Sequence, residues 1–305
     1  MNSQSEACPR VSIVIPNYNR WPHVCEAIDS VIKQDYENIE CIVVDDASTD
    51  GSFKKITQHY SSEKKVSVRE LPENSGQSAA RNLGARLATV ELLCFLDSDD
   101  LLLEGSIKYR VSVYIETRNY EEIIVGGNIT SGRESLALPS PKERLDTISL
   151  NEYLSNRGWI HTNTIMMPTR EFLRLEGFKE DLRQKEDIEF FIRILCHLRA
   201  RYCGHATSQM RSVDHYRARH DYENIVKQGY GFVDAIKSNC LLKKQVSPEI
   251  FSFFLKSSLY SYLDALYKLK RYSGFRSELV KAIKNGDVSI TKKLIKRYAI
   301  SFIRK

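Results

Sequence analysis

Three carboxylates fall within four residues in the sequence Asp97-Ser98-Asp99-Asp100, directly after the apolar run 92–96. Carboxylates this close together repel one another, so the cluster is costly unless a cation or several hydrogen-bond donors neutralise it. Oxygen ligands of this kind suit Mg²⁺ or Mn²⁺ and do not suit zinc. The cluster therefore predicts either a divalent cation site or a solvated acidic turn in which an Asp caps the next helix.

Two more polar clusters follow apolar runs, Pro16-Asn17-Tyr18-Asn19 after 11–15 and Asp45-Asp46-Ala47-Ser48-Thr49-Asp50-Gly51 after 39–44. An aromatic ring beside an acidic acceptor can hold a nucleobase, because the ring stacks and the carboxylate accepts a base N–H. The alternatives are ordinary turn chemistry and a surface aromatic. Dinucleotide and P-loop sites are excluded, because the sequence has no Gly-x-Gly-x-x-Gly after the first run and no Gly-x-x-x-x-Gly-Lys.

Alternating strands and helices must position these clusters. The β-branched and apolar runs predict four strands, and helical spacing of apolar residues predicts helices over 24–32 and 77–88. This alternation is typical of a parallel sheet with helices on both faces. Because ligands bind beyond the carboxyl ends of the strands in such sheets, we expect the polar clusters to meet at one edge, with Glu73-Asn74-Ser75-Gly76 as the fourth.

The chain after residue 100 is less regular. We predict a helix over 101–117, a strand over 123–125, a loop over 131–141, a strand over 159–167 and an amphipathic helix over 188–195. Beyond about residue 221 the pattern is helical, and the tail is rich in Lys and Arg.

Composition excludes several classes of protein. With 305 residues, 42% hydrophobic and 28% charged, the chain is globular and neither disordered nor fibrous. Its net charge of +6 permits an anionic ligand or an acidic membrane surface and does not require nucleic acid. No apolar run is long enough to span a bilayer, and residues 1–10 lack a signal core, so we expect a cytoplasmic protein. The seven cysteines include no Cys-x-x-Cys pair and are expected to be reduced and structural.

The segments VSIVIPNYN (11–19), VVDDASTDG (43–51), ENSGQSAARNLG (73–84) and FLDSDD (95–100) resemble, in this order, the motifs of family 2 glycosyltransferases of the GT-A fold. Gly177-Phe178 followed by Glu186-Asp187 resembles the acceptor and base motif of the same family. The resemblance covers about residues 9–200. It implies an α/β GT-A fold, with a Rossmann-like, mostly parallel sheet flanked by helices and a C-terminal helical extension. It also implies inverting, metal-dependent transfer of a sugar from a nucleotide-diphosphate sugar.

The resemblance assigns a donor site. Asp46 would accept the N3–H of a uracil-like base, Arg81 would lie near the base or the phosphates, and Asp97 would approach the ribose. Asp99 would hold Mn²⁺ or Mg²⁺ on the diphosphate. The nucleotide-binding residues that it implies are Pro16, Tyr18, Asp45, Asp46, Arg81, Asp97 and Ser98.

The resemblance also assigns an acceptor side, where Asp187 would be the catalytic base with Glu186 beside it. A carboxylate at the start of the 188–195 helix is also a helix cap, and the two roles are compatible. Candidate acceptor contacts are Trp159, which can equally be a core residue, and His161 with its neighbour Thr162. Candidate diphosphate or metal contacts are His215 and His220, whose alternative is a solvated basic loop.

We therefore predict a non-processive glycosyltransferase that uses a UDP-sugar and a glycan or lipid-linked acceptor, in bacterial surface polysaccharide synthesis. The Gln-x-x-Arg-Trp motif of processive synthases does not follow Asp187. We expect a nucleotide-sugar-binding part over 8–105, an acceptor-binding part over 106–220 and a helical extension over 221–305. The alternatives are a catalytically inactive GT-A-like binding protein and a sugar nucleotidyltransferase. No nucleic-acid partner is expected, and a homo-oligomer is compatible with the sequence.

The tail from Val288 to Lys305 contains six basic residues and no acidic one. On a helix its apolar residues Leu294, Ile295, Tyr298 and Phe302 lie close together. A basic amphipathic helix of this kind can lie in a membrane interface, here the inner face of the membrane. The alternative is a helix that packs on the rest of the chain.

Overall fold

The computed structural model describes residues 8–117, 121–130, 136–137, 146–155, 160–182, 184–211 and 221–303. The chain divides into two compact units, one of residues 1–180 with 197–213 and one of residues 181–196 with 214–305. The division expected from the sequence, at residues 105 and 220, is drawn by function and stays a prediction.

The first unit begins with four strands that pair in parallel in the order β3-β2-β1-β4. They are β1 (Val11–Asn17), β2 (Ile39–Asp45), β3 (Val66–Glu70) and β4 (Leu92–Phe95). Every residue of β1 is buried, because helices cover both faces of a parallel sheet. The connecting helices are α1 (His23–Ile32), α2 (Ser52–His59) and α3 (Gln77–Leu87). The predicted alternation is confirmed, and only α2 was missed, since Ile56 is its one buried apolar side chain.

The second half of this sheet contains strands of both directions. Its elements are β5 (Leu101–Leu102), α4 (Ser106–Thr117), β6 (Ile123–Thr130), β7 (Leu136–Ala137), β8 (Thr147–Ile148), α5 (Leu150–Ser155), β9 (Ile165–Pro168), α6 (Thr169–Arg174) and β10 (Ala200–Met210). β9 pairs antiparallel with both β4 and β6, whereas β10 runs parallel to β6. β10 gave no strand pattern in the sequence, because two of its fully buried residues, Thr207 and Ser208, are polar.

Three local predictions were wrong. The helix expected over 101–117 begins only at Ser106, because 101–102 pair with β10 and Gly105 adopts a φ of 72°. The strand expected over 159–167 begins at Ile165, because a 3₁₀ turn occupies Thr162–Thr164. Within the expected loop 131–141, residues 136–137 form a strand against β6.

The second unit is helical in its described residues. It contains α7 (Glu186–Leu195), α8 (Tyr222–Gln228), α9 (Gly231–Ser238), α10 (Cys240–Gln245), α11 (Pro248–Lys268), α12 (Tyr272–Lys284) and α13 (Lys292–Ile303). The predicted amphipathic helix and the helical extension are thus confirmed. α11 packs against α8 and α12, and its residues Leu259 and Leu263 are buried. α12 in turn packs against α13.

Among the described residues, no helix is both long and apolar enough to cross a membrane. None of the seven cysteines forms a disulfide, and Cys41 and Cys94 are buried as expected. Burial raises the pKa of the Cys94 thiol, which keeps it protonated and unreactive.

Candidate functional site

The polar residues after β1 and β2 are held together by Asp45, whose side chain is fully buried. Asn17 donates to its Oδ2 over 2.6 Å, and the backbone N–H and hydroxyl of Ser48 each donate to the carboxylate over 2.8 Å. Asp45 therefore fixes the first loop to the second. Asn19, in a left-handed conformation with a φ of 52°, adds to this by accepting from the backbone N–H of Thr49 over 2.8 Å.

Asp46 connects the polar cluster after β2 to the loop that precedes α3. Its two carboxylate oxygens accept the backbone N–H groups of Ser75 at 2.7 Å and Gly76 at 2.8 Å, directly before α3. Each carboxylate oxygen carries more than one lone pair and can accept more than one hydrogen bond. Pro16 is buried within β1, whereas Tyr18 is 44% exposed after it. The aromatic ring is thus open to solvent.

The acidic turn after β4 is organised by Asn163, which is fully buried. Its Oδ1 accepts the backbone N–H of Asp97 at 2.9 Å, and its Nδ2 donates to Asp100 over 2.7 Å. The backbone N–H of Arg211 donates to the other oxygen of Asp100 over 2.9 Å, and its guanidinium donates to the carbonyl of Asp99 over 2.7 Å. Neither Asn163 nor Arg211 was identified from the sequence. The one signal for Asn163 was that it is a polar residue inside the strand expected over 159–167.

The carboxylates of this turn differ in their surroundings. Asp97 forms an ion pair of 2.6 Å with Arg81, while Asp99 is 35% exposed in its side chain and lies 3.5 Å from Arg20. Burial, followed by the charge of Asp97, raises the pKa of Asp99 and raises that of Asp100 to about 7. Ser98, the one residue of this turn without a carboxylate, lies between Asp97 and Asp99 in the sequence and is largely shielded from solvent in the structure.

No group of three or more His, Cys, Asp or Glu side chains in the described part of the chain is arranged to hold a metal ion. These residues therefore do not form a metal site whose ligands all come from protein side chains. Asp99 fits a different kind of site, because its partly exposed oxygen is crowded by Asp97 and would be stabilised by a cation. Such a site takes its remaining oxygen ligands from a bound phosphate group.

The Gly177-Phe178 segment contacts the helix that carries Arg81, through Asn82 and through the Phe178 ring. Asn82 donates to the carbonyl of Phe178 over 2.8 Å and accepts its backbone N–H at 2.9 Å. The Arg81 guanidinium lies 5.2 Å from the centre of the Phe178 ring, and Arg81 is only 2% exposed. Asp97, Arg81, Phe178 and Asn82 thus form one continuous set of contacts within the first unit.

Asp187 and Glu186 are the first residues of α7, in the second unit. The carboxylate of Asp187 accepts the backbone N–H of Ile188 at 2.7 Å. The N-cap position is Lys185, whose side chain makes no capping bond, so Asp187 lies within the first turn, where a negative charge is favourable. Glu186 is buried and Asp187 is half-buried. Lys185 precedes them with its amine 5.1 Å from the Phe232 ring, and burial lowers the pKa of Lys185 to about 8 although Asp187 opposes the shift.

The remaining candidates are less informative. His161 is partly exposed before the 3₁₀ turn, where its carbonyl accepts from Thr164, and Thr162 is buried. Trp159, His215 and His220 lie outside the described residues. The structure therefore brings together the donor-side candidates of the first unit, from Asp45 to Asp99, and places the predicted base in the second unit.

Comparison with known proteins gives one family. The model of "Glycosyl transferase family 2" matches residues 12–182. An uncharacterized glycosyltransferase of Rickettsia felis is 33% identical over 193 residues, which are 62% of this chain and 32% of that protein. The match thus spans about a third of that relative's length.

A second relative has a more informative name. The UDP-Glc:α-D-GlcNAc-diphosphoundecaprenol β-1,3-glucosyltransferase WfgD of Escherichia coli is 29% identical over 209 residues, 66% of this chain and 76% of that protein. Among solved structures, S. aureus TarS 1–349 in complex with UDP-GlcNAc superimposes with a TM-score of 0.64 at 19% identity, over 96% of this chain and 79% of that one. At this identity the likeness shows the fold alone, which is GT-A.

Proposed function

Because the chain belongs to glycosyl transferase family 2, whose model covers more than half of it, we propose that it moves a sugar from a UDP-sugar to an acceptor hydroxyl with inversion. The observation that carries the proposal is the polar edge where the loops after β1 to β4 meet, with Asp46, Arg81, Asp97 and Asp99 each held by a hydrogen bond or an ion pair. WfgD is named for a UDP-sugar, and TarS was crystallised with UDP-GlcNAc and with UDP, which favours a uridine nucleotide.

Each donor-side residue has a role that its contacts allow. Asp46 accepts the N3–H of the base, and the exposed Tyr18 ring stacks on the base. Asp45 and Pro16 shape the base pocket without touching solvent. Asp97, which forms an ion pair with Arg81, accepts from a ribose hydroxyl. Ser98 lines the same turn.

A divalent cation, Mn²⁺ or Mg²⁺, held by Asp99 would neutralise charge on the departing diphosphate. On the acceptor side, Asp187 removes the proton of the acceptor hydroxyl as the hydroxyl oxygen bonds to the anomeric carbon and the diphosphate leaves. Glu186 and His161 are acceptor-side residues in this proposal.

The acceptor is a glycan or a lipid-linked sugar, and the setting is bacterial surface polysaccharide synthesis at the cytoplasmic face of the membrane. The support is the name of WfgD, which specifies a sugar linked through diphosphate to undecaprenol.

A thermal-shift experiment tests the donor site. UDP, UDP-glucose, UDP-N-acetylglucosamine and dTDP-glucose are each added with Mn²⁺ or with EDTA. A ligand at 100 times its Kd stabilises the fold by about 2.7 kcal/mol, which is readily measured as a rise in Tm. We expect a Mn²⁺-dependent rise with the uridine nucleotides.

The same experiment on two variants locates the cation. Asp99→Ala is expected to abolish the Mn²⁺-dependent part of the shift, whereas Asp35→Ala, which removes a surface carboxylate paired with Lys108 at 3.2 Å, is expected to retain it. No shift with any nucleotide would contradict the proposed donor site. An intact Mn²⁺ dependence in Asp99→Ala would contradict the role of Asp99.

A further inference from the structure

The helix α13 buries one side against the other helices of the second unit, and the centre of the Phe302 ring lies 4.6 Å from the Arg276 guanidinium. Leu294 is 5% exposed and Ser301 is 1% exposed. Arg297 donates to Asp264 over 2.5 Å, and Arg276 donates to the carbonyl of Ser301 over 2.5 Å. The predicted apolar cluster is therefore divided, because Leu294 lies in the core while Ile295 and Phe302 do not.

The other side of α13 is apolar and exposed. Ile295, Phe302 and Ile303 are 58%, 61% and 82% exposed. Because an α-helix turns by about 100° per residue, these three residues share a side with positions 292, 296 and 299. We call this side, formed by Lys292, Ile295, Lys296, Ala299, Phe302 and Ile303, the exposed face of α13.

The exposed face carries positive charge without a counter-charge. Lys292 and Lys296 are both exposed, and neither forms an ion pair with a carboxylate of the described residues. No acidic residue occurs in the sequence from Val288 to the end of the chain. Lysines beside an apolar stripe can extend their charged ends to the lipid headgroups while the stripe lies at the acyl boundary.

We propose that the exposed face of α13 binds the surface of an anionic phospholipid bilayer, with Ile295, Phe302 and Ile303 at the acyl boundary and the two lysines at the phosphates. Charge complementarity favours lipid over a second copy of the chain. In a two-fold contact through this face, the lysines of both copies would meet, and juxtaposed like charges are costly. The inference is independent of the proposed transfer reaction, and its test measures binding only.

The test is co-sedimentation of the full chain with phosphatidylcholine vesicles that contain or lack phosphatidylglycerol, at low and high salt. We expect binding only to the phosphatidylglycerol vesicles, and its loss at high salt, since salt screens exposed charges. Lys292→Gln/Lys296→Gln is expected to lower the partition coefficient by roughly thirtyfold. The matched control Lys243→Gln/Lys244→Gln, two exposed lysines of α10, is expected to leave it unchanged.

A second pair of variants tests the apolar part of the face. Phe302→Ser/Ile303→Ser is expected to lower partitioning at least tenfold, whereas Phe253→Ser, which removes a 56% exposed ring from α11, is expected to have no effect. An unchanged Tm shows that each variant is folded. Absence of sedimentation, or equal sedimentation of the lysine variant and its control, overturns the proposal. A fall in mass by light scattering in Phe302→Ser/Ile303→Ser with unchanged lipid binding also overturns it and assigns the face to contacts between copies.

Discussion

The substitution Asn163→Asp tests how the acidic turn is held together. In the structure the Asn163 amide donates to the Asp100 carboxylate over 2.7 Å, and both side chains are buried. The variant replaces that donor by a second carboxylate. Two like charges about 4 Å apart repel by about 4 kcal/mol at an effective dielectric constant of 20. The lost hydrogen bond to a charged group adds about 1.5–3 kcal/mol.

Because the pKa of Asp100 is already raised to about 7, the two carboxyl groups can avoid this cost by sharing a proton, at about 1.4 kcal/mol for each pH unit above 7. We therefore expect Asn163→Asp to lower the free energy of unfolding by about 3 kcal/mol at pH 9, a large part of the total stability of a typical protein. The loss should shrink at low pH, where a proton shared between the two carboxyl groups restores a donor. Denaturant unfolding at pH 9 and at pH 5 measures both quantities.

The double variant Asn163→Asp/Asp100→Asn exchanges the two groups and should restore the stability. A carboxylate at position 163 can accept both from the Asp97 backbone N–H and from an amide at position 100. The carbonyl of that amide can still accept from Arg211, which now donates to Asp100 over 2.9 Å. We expect the double variant to come within about 1 kcal/mol of the wild type, as the complete set of hydrogen bonds is kept.

The control is Asn151→Asp, the same substitution at an exposed position of α5, which should change stability by less than about 0.5 kcal/mol. Either of two results would refute the reasoning. One is a cost below about 1 kcal/mol for Asn163→Asp at pH 9, and the other is a double variant no more stable than the single one.

Three further predictions follow from individual positions. Gly177→Ala should lower the free energy of unfolding by about 3 kcal/mol, because the residue has a φ of 58° and a Cβ would lie 2.4 Å from the Asn82 side-chain oxygen. Gly286→Ala, at a φ of 70° with no atom within 4 Å of its Cβ, should lower it by only about 1 kcal/mol. Equal losses in denaturant unfolding would be evidence against the Asn82 contact. The pKa of Lys185 is lowered from 10.5 to about 8, so between these pH values the residue binds fewer protons in the folded chain than in the unfolded one. The free energy of unfolding of the wild type should therefore rise through this residue as the pH rises from 8 to 10.5. Lys185→Met should lack that rise, and an identical pH dependence of the two proteins would contradict the lowered pKa. Asp187→Asn should lower kcat about a hundredfold with unchanged UDP affinity, the scale of a lost general base; a kcat within a few-fold of wild type would leave Asp187 with only a stabilising role in the first turn of α7.

The sequence by itself determined the first half of the sheet and the place of the candidate site. Runs such as 11–15 and 39–44 alternate with helical periodicity, and the polar clusters come directly after them. Parallel strands place their carboxyl ends at one edge, so chain order alone brings the clusters together. The predicted motifs therefore lie at that edge in the structure, where Asp46 reaches the Ser75 and Gly76 backbone.

Only the tertiary structure decided which residues hold those motifs in place. Asn163 lies 63 positions from Asp100, Arg211 lies 111 positions from it, and Asn82 lies 96 positions from Phe178. Such partners leave no periodic trace in a sequence, because each is a single polar residue whose donor or acceptor becomes essential only when burial removes water from it. For the same reason, the sequence could not show which apolar residues of α13 are buried and which are exposed. Helical spacing places Leu294 and Ile295 side by side, and only the packing against the other helices decides that the first is buried and the second faces solvent.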